Sequence, residues 1–233
     1  MAELERQIAF FDIDKTAYDG FLLFPMIDAQ ARAGFISSVS QDAINGVLRE
    51  FESGGIDYAE MVRQTLNQYA RSLAGRRVDD ALETTRRYLV GEGNKFYPYV
   101  EQVIGQIRGT HDVFFVTAEP QFVADATKDI YEANGAISTV FTTRDGVFTG
   151  EIDSALSSGQ HKADAIAHLL AGHRLDRSLA FGDSEGDIGM LDAVEYAICV
   201  NPSKGLLDVA QEKQWFVSAV PQEIPQHVAR ILA

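Results

Sequence analysis

The run Ile8-Ala9-Phe10-Phe11 stops abruptly at Asp12-Ile13-Asp14-Lys15-Thr16, and few folds accommodate such a junction. Four consecutive apolar residues with no polar alternation describe a strand buried on both faces, as in a parallel sheet covered by helices. In an open α/β sheet, ligands bind beyond the carboxyl ends of the strands, so acids that terminate a strand are presented to a site. Two carboxylates this close are tolerated in a buried place only when a cation or a shared proton relieves them. Mg²⁺, a hard cation that takes oxygen ligands, would serve. Taken alone, the same residues also suit a turn or N-cap after an edge strand. The remainder of the chain decides between these readings.

Beyond Thr16 and the cluster Phe21-Leu22-Leu23-Phe24-Pro25, the pattern is helical as far as Gly93. A helix is expected around residues 26–33. Ser40 is placed to cap a second, with Ile44, Val47, Leu48 and Phe51 on its apolar face and Gly54-Gly55 at its end. Asp57 with Glu60 opens a third, striped by Val62, Leu66, Tyr69 and Leu73 and closed by Gly75. Val78, Leu82, Thr85 and Leu89 mark a fourth, which runs to Gly91. Four amphipathic helices with short connections make a small bundle. The insert spans residues 20–93, and glycines at its junctions (Gly20, Gly91, Gly93) predict a hinged, mobile lid.

From Pro98 the rhythm becomes alternating. Val100 to Ile107 is a helix, Val113 to Val116 a strand ending at Thr117, and Pro120 opens a helix with Asn134-Gly135 as its C-cap. Two short strands flank the turn Arg144-Asp145-Gly146. A helix from Gln160 to Ala171 precedes a strand from Ser178 to Phe181 and the loop Gly182-Asp183-Ser184-Glu185-Gly186-Asp187. Tyr196 to Val200 is read as the last strand, followed by a helical tail from Gln222. Alternation of this kind predicts an α/β fold, a doubly wound, mainly parallel, Rossmann-like sheet. The expected domains are a core of residues 1–19 with 94–233 and a four-helix cap of 20–93.

A formal charge of −14 argues against nucleic acid or an anionic membrane as partner. No apolar run has the length of a membrane span and the first residues lack a signal-peptide pattern, so a cytoplasmic location is expected. The single Cys199 lies in an apolar run and reads as a core thiol.

Parallel strands would bring Asp12, Asp14, Thr117, Asp183 and Asp187 to one sheet edge, with Lys162 in the first turn of a helix nearby. Acids, a hydroxyl and an ammonium together suit a divalent cation and an anionic substrate, which are the parts phosphoryl transfer requires. With these motifs in this order, the chain resembles the haloacid dehalogenase superfamily, in the branch similar to phosphoserine phosphatase with a helical cap after the first strand. Asp12-Ile13-Asp14-Lys15-Thr16, Thr117, Lys162 and Gly182 to Asp187 match its four motifs.

The resemblance implies that Asp12 is a nucleophile forming an aspartyl-phosphate and that Asp14 is the general acid and then the base. It implies Mg²⁺ held by Asp12, the main-chain carbonyl of Asp14 and Asp183, with Asp187 holding metal-bound water or orienting Lys162. Thr117 and the following amides, Ala118 first, would hold the phosphoryl group at a helix N-terminus, with Lys162 supplying positive charge. The implied activity is hydrolysis of a small phosphate monoester. A phosphotransferase sharing the intermediate and a non-catalytic phosphate-binding module are the alternatives.

Two departures bear on the substrate. Ala118-Glu119-Pro120 and Gly186 stand where the phosphoserine enzymes usually carry glycines and Asn. Phe21, nine residues after Asp12, stands where those enzymes place a Glu for the substrate ammonium, so phosphoserine is not the expected substrate. The stretch 17–94 holds eight of the fourteen arginines and no lysine. Most of these, Arg86 and Arg87 included, read as solvated. The substrate is expected to carry an apolar or an anionic portion.

Overall fold

The computed structural model describes residues 6–156 and 159–233. Strand β1 (Gln7–Phe11) lies at the centre of a seven-stranded sheet, between β2 (His111–Pro120) and β5 (Arg174–Gly182) and parallel to both. With β3 (Gly135–Arg144), β4 (Val147–Ser154), β6 (Tyr196–Val200) and β7 (Phe216–Ser218), the order is β4-β3-β2-β1-β5-β6-β7. Among the described strands, only β4 runs antiparallel to its neighbour. It is joined to β3 by Asp145 and Gly146 at φ of 53° and 74°, the positive values a tight hairpin demands.

The apolar run of β1 is divided between the two faces, as a period of two requires. Ile8 and Phe10 pack with Ile166 of α7 (Gly159–Ala171), Met190 of α8 (Ile188–Leu191) and Leu206 of α9 (Lys204–Lys213). Ala9 and Phe11 pack with Val103 of α5 (Pro98–Ile107), Val123 of α6 (Gln121–Tyr131) and Val228 of α10 (Ile224–Leu232). Both faces are covered, so none of the four positions from Ile8 to Phe11 is open to a polar residue. Burial of each large side chain contributes roughly 1.5–3 kcal/mol. Among the described residues, no helix is long and apolar enough to cross a membrane.

Four helices inserted after β1 form the cap: α1 (Leu23–Arg32), α2 (Ser38–Glu52), α3 (Tyr58–Ser72) and α4 (Val78–Val90). Asp57 caps α3 through the Glu60 amide at 2.8 Å, as its sequence position indicates. Helix α2 begins earlier than expected. Ser37 is its cap, extended at ψ 150°; its Oγ accepts from the Ser40 amide, and the two hydroxyls are also hydrogen-bonded. In the core, α6 ends at Glu132 in the left-handed region, not at Asn134-Gly135. Asn134 instead accepts from the Val113 amide with its side chain and ties that turn to β2. A further strand, β7, follows the one read as last, with α9 between them. At three residues β7 is too short for alternation to register.

Main-chain hydrogen bonds flank the glycine junctions. Asp19 N donates to Lys95 O at 2.9 Å and Tyr97 N to Ala17 O at 2.9 Å, pairing the chain that enters the cap with the chain that leaves it. Gly93 is a glycine because a Cβ there would run into the Tyr88 ring. At the far end, the α3–α4 turn is bonded to the β3–β4 hairpin. Gly75 N donates to Phe148 O, Phe148 N to Arg76 O and Val78 N to Gly146 O, at 2.9–3.0 Å. Tyr69, Phe122, Phe141 and Phe148 close an aromatic cluster across the same seam. The cap is thus seated on the core and fastened at both ends.

Candidate active site

Beyond β1 the chain turns sharply. Asp12 N donates to Phe181 O of β5 at 3.0 Å, which fixes the strand end against its neighbour. Ile13 O then accepts from the amides of Ala17 and Tyr18 at 2.9 and 2.8 Å, and Lys15 takes a left-handed φ of 55° to make this turn. The chain builds β2 and β3 on one side of β1 and returns to build β5 and β6 on the other. The strand order therefore reverses at β1, and the crevice outside this point is where such sheets bind ligands.

The sequence-selected residues meet there. Lys162, 5% exposed and in the first turn of α7, donates to Asp12 Oδ1 at 2.6 Å and to Asp187 Oδ1 at 2.7 Å. The other oxygen of Asp187 accepts from the amides of Asp183 and Ser184 at 3.0 and 3.1 Å, so Asp187 shapes its own loop while aiming Lys162. Gly182 permits this, since a Cβ would fall 2.5 Å from that of Asp187. Ser203 N donates to Asp183 O at 2.7 Å and braces the loop from β6.

Burial dominates the electrostatics. It pushes the Asp12 carboxyl up to about 7, against the pull of Lys162 and with a push from Asp187. Burial, followed by the charges of Asp187 and Asp12, holds Asp183 well above the ordinary range. Burial alone would lower Lys162, but Asp12 and Asp187 outweigh it and hold the ammonium firmly charged. Carboxylate oxygens of Asp12, Asp183 and Asp187 lie within 4.8 Å of one another, all buried. Lys162 reaches two of the three, and no ion pair among the described residues includes Asp183. Three hard oxygen donors with one cation between them leave excess negative charge, which fits a divalent ion such as Mg²⁺.

Asp14 stands apart from that cluster. Its Oδ1 accepts from the Leu22 amide at 2.8 Å, and burial pushes its carboxyl up to about 6. The side chain is thus tied to the start of the cap while still lining the cavity beside Asp12. Thr117 is fully within β2 and 1% exposed. Its Oγ1 accepts from Glu119 N at 3.1 Å, so the hydroxyl hydrogen remains for an anion. The helix expected to open at Pro120 has that residue as its N-cap, three residues beyond Thr117. The strand continues to Pro120 and α6 begins at Gln121. Asp12, Asp14, Thr117, Ala118, Lys162, Ser184 and Gly186 line one cavity.

Two residues of this region were not singled out in the sequence. Tyr58, the first residue of α3, lines the same cavity from the cap, and nothing local distinguishes it from any residue following an N-cap. Glu119, 3% exposed, lies within hydrogen-bonding reach of Asp14. Its signal was the acid two positions beyond Thr117.

The haloacid dehalogenase-like hydrolase family model matches residues 9–192, and the chain belongs to that family. Among solved structures, a Bordetella pertussis Tohama I protein of unknown function has a TM-score of 0.75 at 23% identity, covering 91% of this chain and 98% of that one. A phosphoserine phosphatase solved with bound substrate has a TM-score of 0.62 at 17% identity, covering 97% and 99%. At such identities the likeness concerns the fold. The "Inhibition of morphological differentiation protein" of Streptomyces azureus is 27% identical over 228 residues, which is 91% of this chain and 78% of that one. Phosphoserine phosphatase SerB1 of Mycobacterium tuberculosis is 34% identical over 105 residues, 44% of this chain and 34% of its own. The match to the mycobacterial relatives thus spans about a third of their length.

Proposed function

We propose that the protein is a Mg²⁺-dependent phosphatase that hydrolyses a small phosphate monoester through a phosphorylated Asp12. The observation that carries this reading is the buried Lys162 bridging Asp12 and Asp187 at 2.6 and 2.7 Å with Asp183 alongside. Residues 20–93 are taken as the cap, and 1–19 with 94–233 as the catalytic core.

Asp12, Asp183, Asp187 and the Asp14 carbonyl would hold the metal, which when bound neutralises the acids and draws charge from the phosphoryl oxygens. Asp12 attacks phosphorus as the bond to the ester oxygen breaks, and Asp14 gives its proton to that oxygen. Asp14 then takes a proton from the water that attacks the aspartyl-phosphate, releasing phosphate and regenerating Asp12. A carboxyl raised to about 6 is suited to both halves of that cycle near neutrality. Thr117 Oγ, the Ala118 amide and Lys162 hold the phosphoryl oxygens, and their fixed positions spare reorganisation during transfer. Tyr58 and the seated cap restrict water.

The test is phosphate release from a panel of small esters with Mg²⁺ and with chelator. Metal-dependent release is expected. Release that chelator leaves unchanged would contradict the metal assignment, and transfer to an added alcohol in place of water would mark a phosphotransferase.

A further inference from the structure

Next to the phosphoryl cavity lies a second one, and the two meet at Asp14, Tyr58, Val62 and Ala118. A general acid must reach the oxygen that joins phosphorus to the alcohol. With Asp14 at the junction, the phosphoryl group falls on one side and the alcohol on the other. The second cavity is walled mainly by Phe21, Phe24, Met61 and Leu66. Phe21 is held in place by Phe24 and Tyr58, with ring centroids 5.9 and 6.3 Å away. Thr65, a polar group in the wall, donates to Met61 Sδ at 3.9 Å.

No lysine or arginine is among the residues that line it. Arg86 pairs with Asp129 and Arg87 with Glu83 at the surface, and the Lys15 ammonium lies 4.0 Å from the centroid of the Phe21 ring. An anionic arm on the substrate would find no counter-charge in that wall. Glu119, by contrast, contributes to the lining; its carboxyl lies within hydrogen-bonding reach of Asp14, and no other donor among the described residues reaches its buried Oε2. Buried acceptors are costly when orphaned, so one in a cavity wall with no donor beyond Asp14 calls for a donor in the working state.

Resting on the phosphatase reading above, we propose that this cavity receives the leaving alcohol and that Glu119 is a specificity-determining residue. The substrate is then the phosphate monoester of a largely apolar alcohol that carries one O–H or N–H donor for Glu119. Of the two portions expected from the sequence, the apolar one is retained and the anionic one is not.

The test compares four esters with Mg²⁺: benzyl phosphate, its 3-hydroxymethyl and 3-aminomethyl derivatives, and phosphoserine. For the wild type, kcat/KM should be at least about tenfold higher for a donor-bearing benzyl ester than for benzyl phosphate, because a site built around a hydrogen bond rejects the analogue lacking it. The two derivatives distinguish a hydroxyl from an ammonium. Benzyl phosphate should in turn exceed phosphoserine. Glu119→Leu should collapse the donor-to-donorless ratio, and calorimetric titration of the wild type with the free alcohols should give the same ranking without turnover. Ratios within about twofold in both kinetics and binding would overturn the role of Glu119. Phosphoserine as the best substrate would overturn the apolar cavity. Alcohols ranked by their donor with no phosphate released would instead remove the phosphatase reading and leave the cavity assignment standing. Neither ranking nor release would overturn both.

Discussion

Metal-free protein should lose stability as pH rises from about 4 to about 7, and Mg²⁺ should restore it. Burial raises Asp12 from an ordinary 3.8 to about 7 and Asp14 from 3.8 to about 6. Between the unfolded and folded values of such a carboxyl, the native state binds more protons than the unfolded chain. The stabilisation is therefore fully present below the unfolded value and is lost as pH rises through the folded one. Between pH 5 and 8, Asp12 samples about two units of its displacement, or about 3 kcal/mol. Asp14 acts in the same direction but shares the same buried environment, so the two do not simply add. His111 and His227, both lowered chiefly by burial, act oppositely, with stability rising as pH approaches 6.5. Comparison with Asp12→Asn removes them, because the variant keeps both histidines. Urea unfolding in chelator at pH 5 and pH 8 should show the wild type losing about 3 kcal/mol more than the variant over that interval. Saturating Mg²⁺ should stabilise the wild type far more at pH 8 than at pH 5, since it binds the ionised acids. Identical pH profiles for wild type and Asp12→Asn would refute the reasoning.

Three further outcomes follow from the geometry. Lys162→Met leaves Asp12 and Asp187 buried without their cation, so chemical denaturation should show a loss of about 3–5 kcal/mol, and a loss below about 1 would contradict the buried bridge. Thr117→Val removes a donor to the phosphoryl oxygens while keeping shape. Its single-turnover rate should fall about 10²–10³-fold with the fold intact, and a loss under about threefold would exclude that contact. Gly93→Ala drives a methyl group into the Tyr88 ring and should cost about 1–3 kcal/mol in thermal unfolding, whereas an unchanged Tm would show that the junction has room.

The fold and the acid site were legible because their signals are local. An apolar run ending in Asp12 and Asp14 carries its own geometry, and so does the Gly182 to Asp187 loop before a helix. Strand order was implied only as a class, since pairing β1 between β2 and β5 depends on contacts far apart in sequence. A glycine required by a neighbouring ring, as Gly93 is beside Tyr88, looks in sequence like one required for motion. The fastening of the α3–α4 turn to the hairpin is made by main-chain groups, which carry no residue signature. Ser37 and Ser40 can both cap a helix, and only the extended backbone at Ser37 separates them. Glu119 was visible as a departure in the second motif, but its proximity to Asp14 depends on how β1 and β2 are registered.

The central claim is that Asp12 is phosphorylated during turnover. Enzyme mixed with Mg²⁺ and a hydrolysed ester, quenched in acid within the first turnover and digested, should yield by mass spectrometry a phosphoryl group on the peptide containing Asp12. The adduct should vanish on brief treatment with base, as an acyl phosphate does, and Asp12→Asn should show neither adduct nor turnover. A phosphoryl group found on another residue, or phosphate release undiminished in Asp12→Asn, would contradict the account.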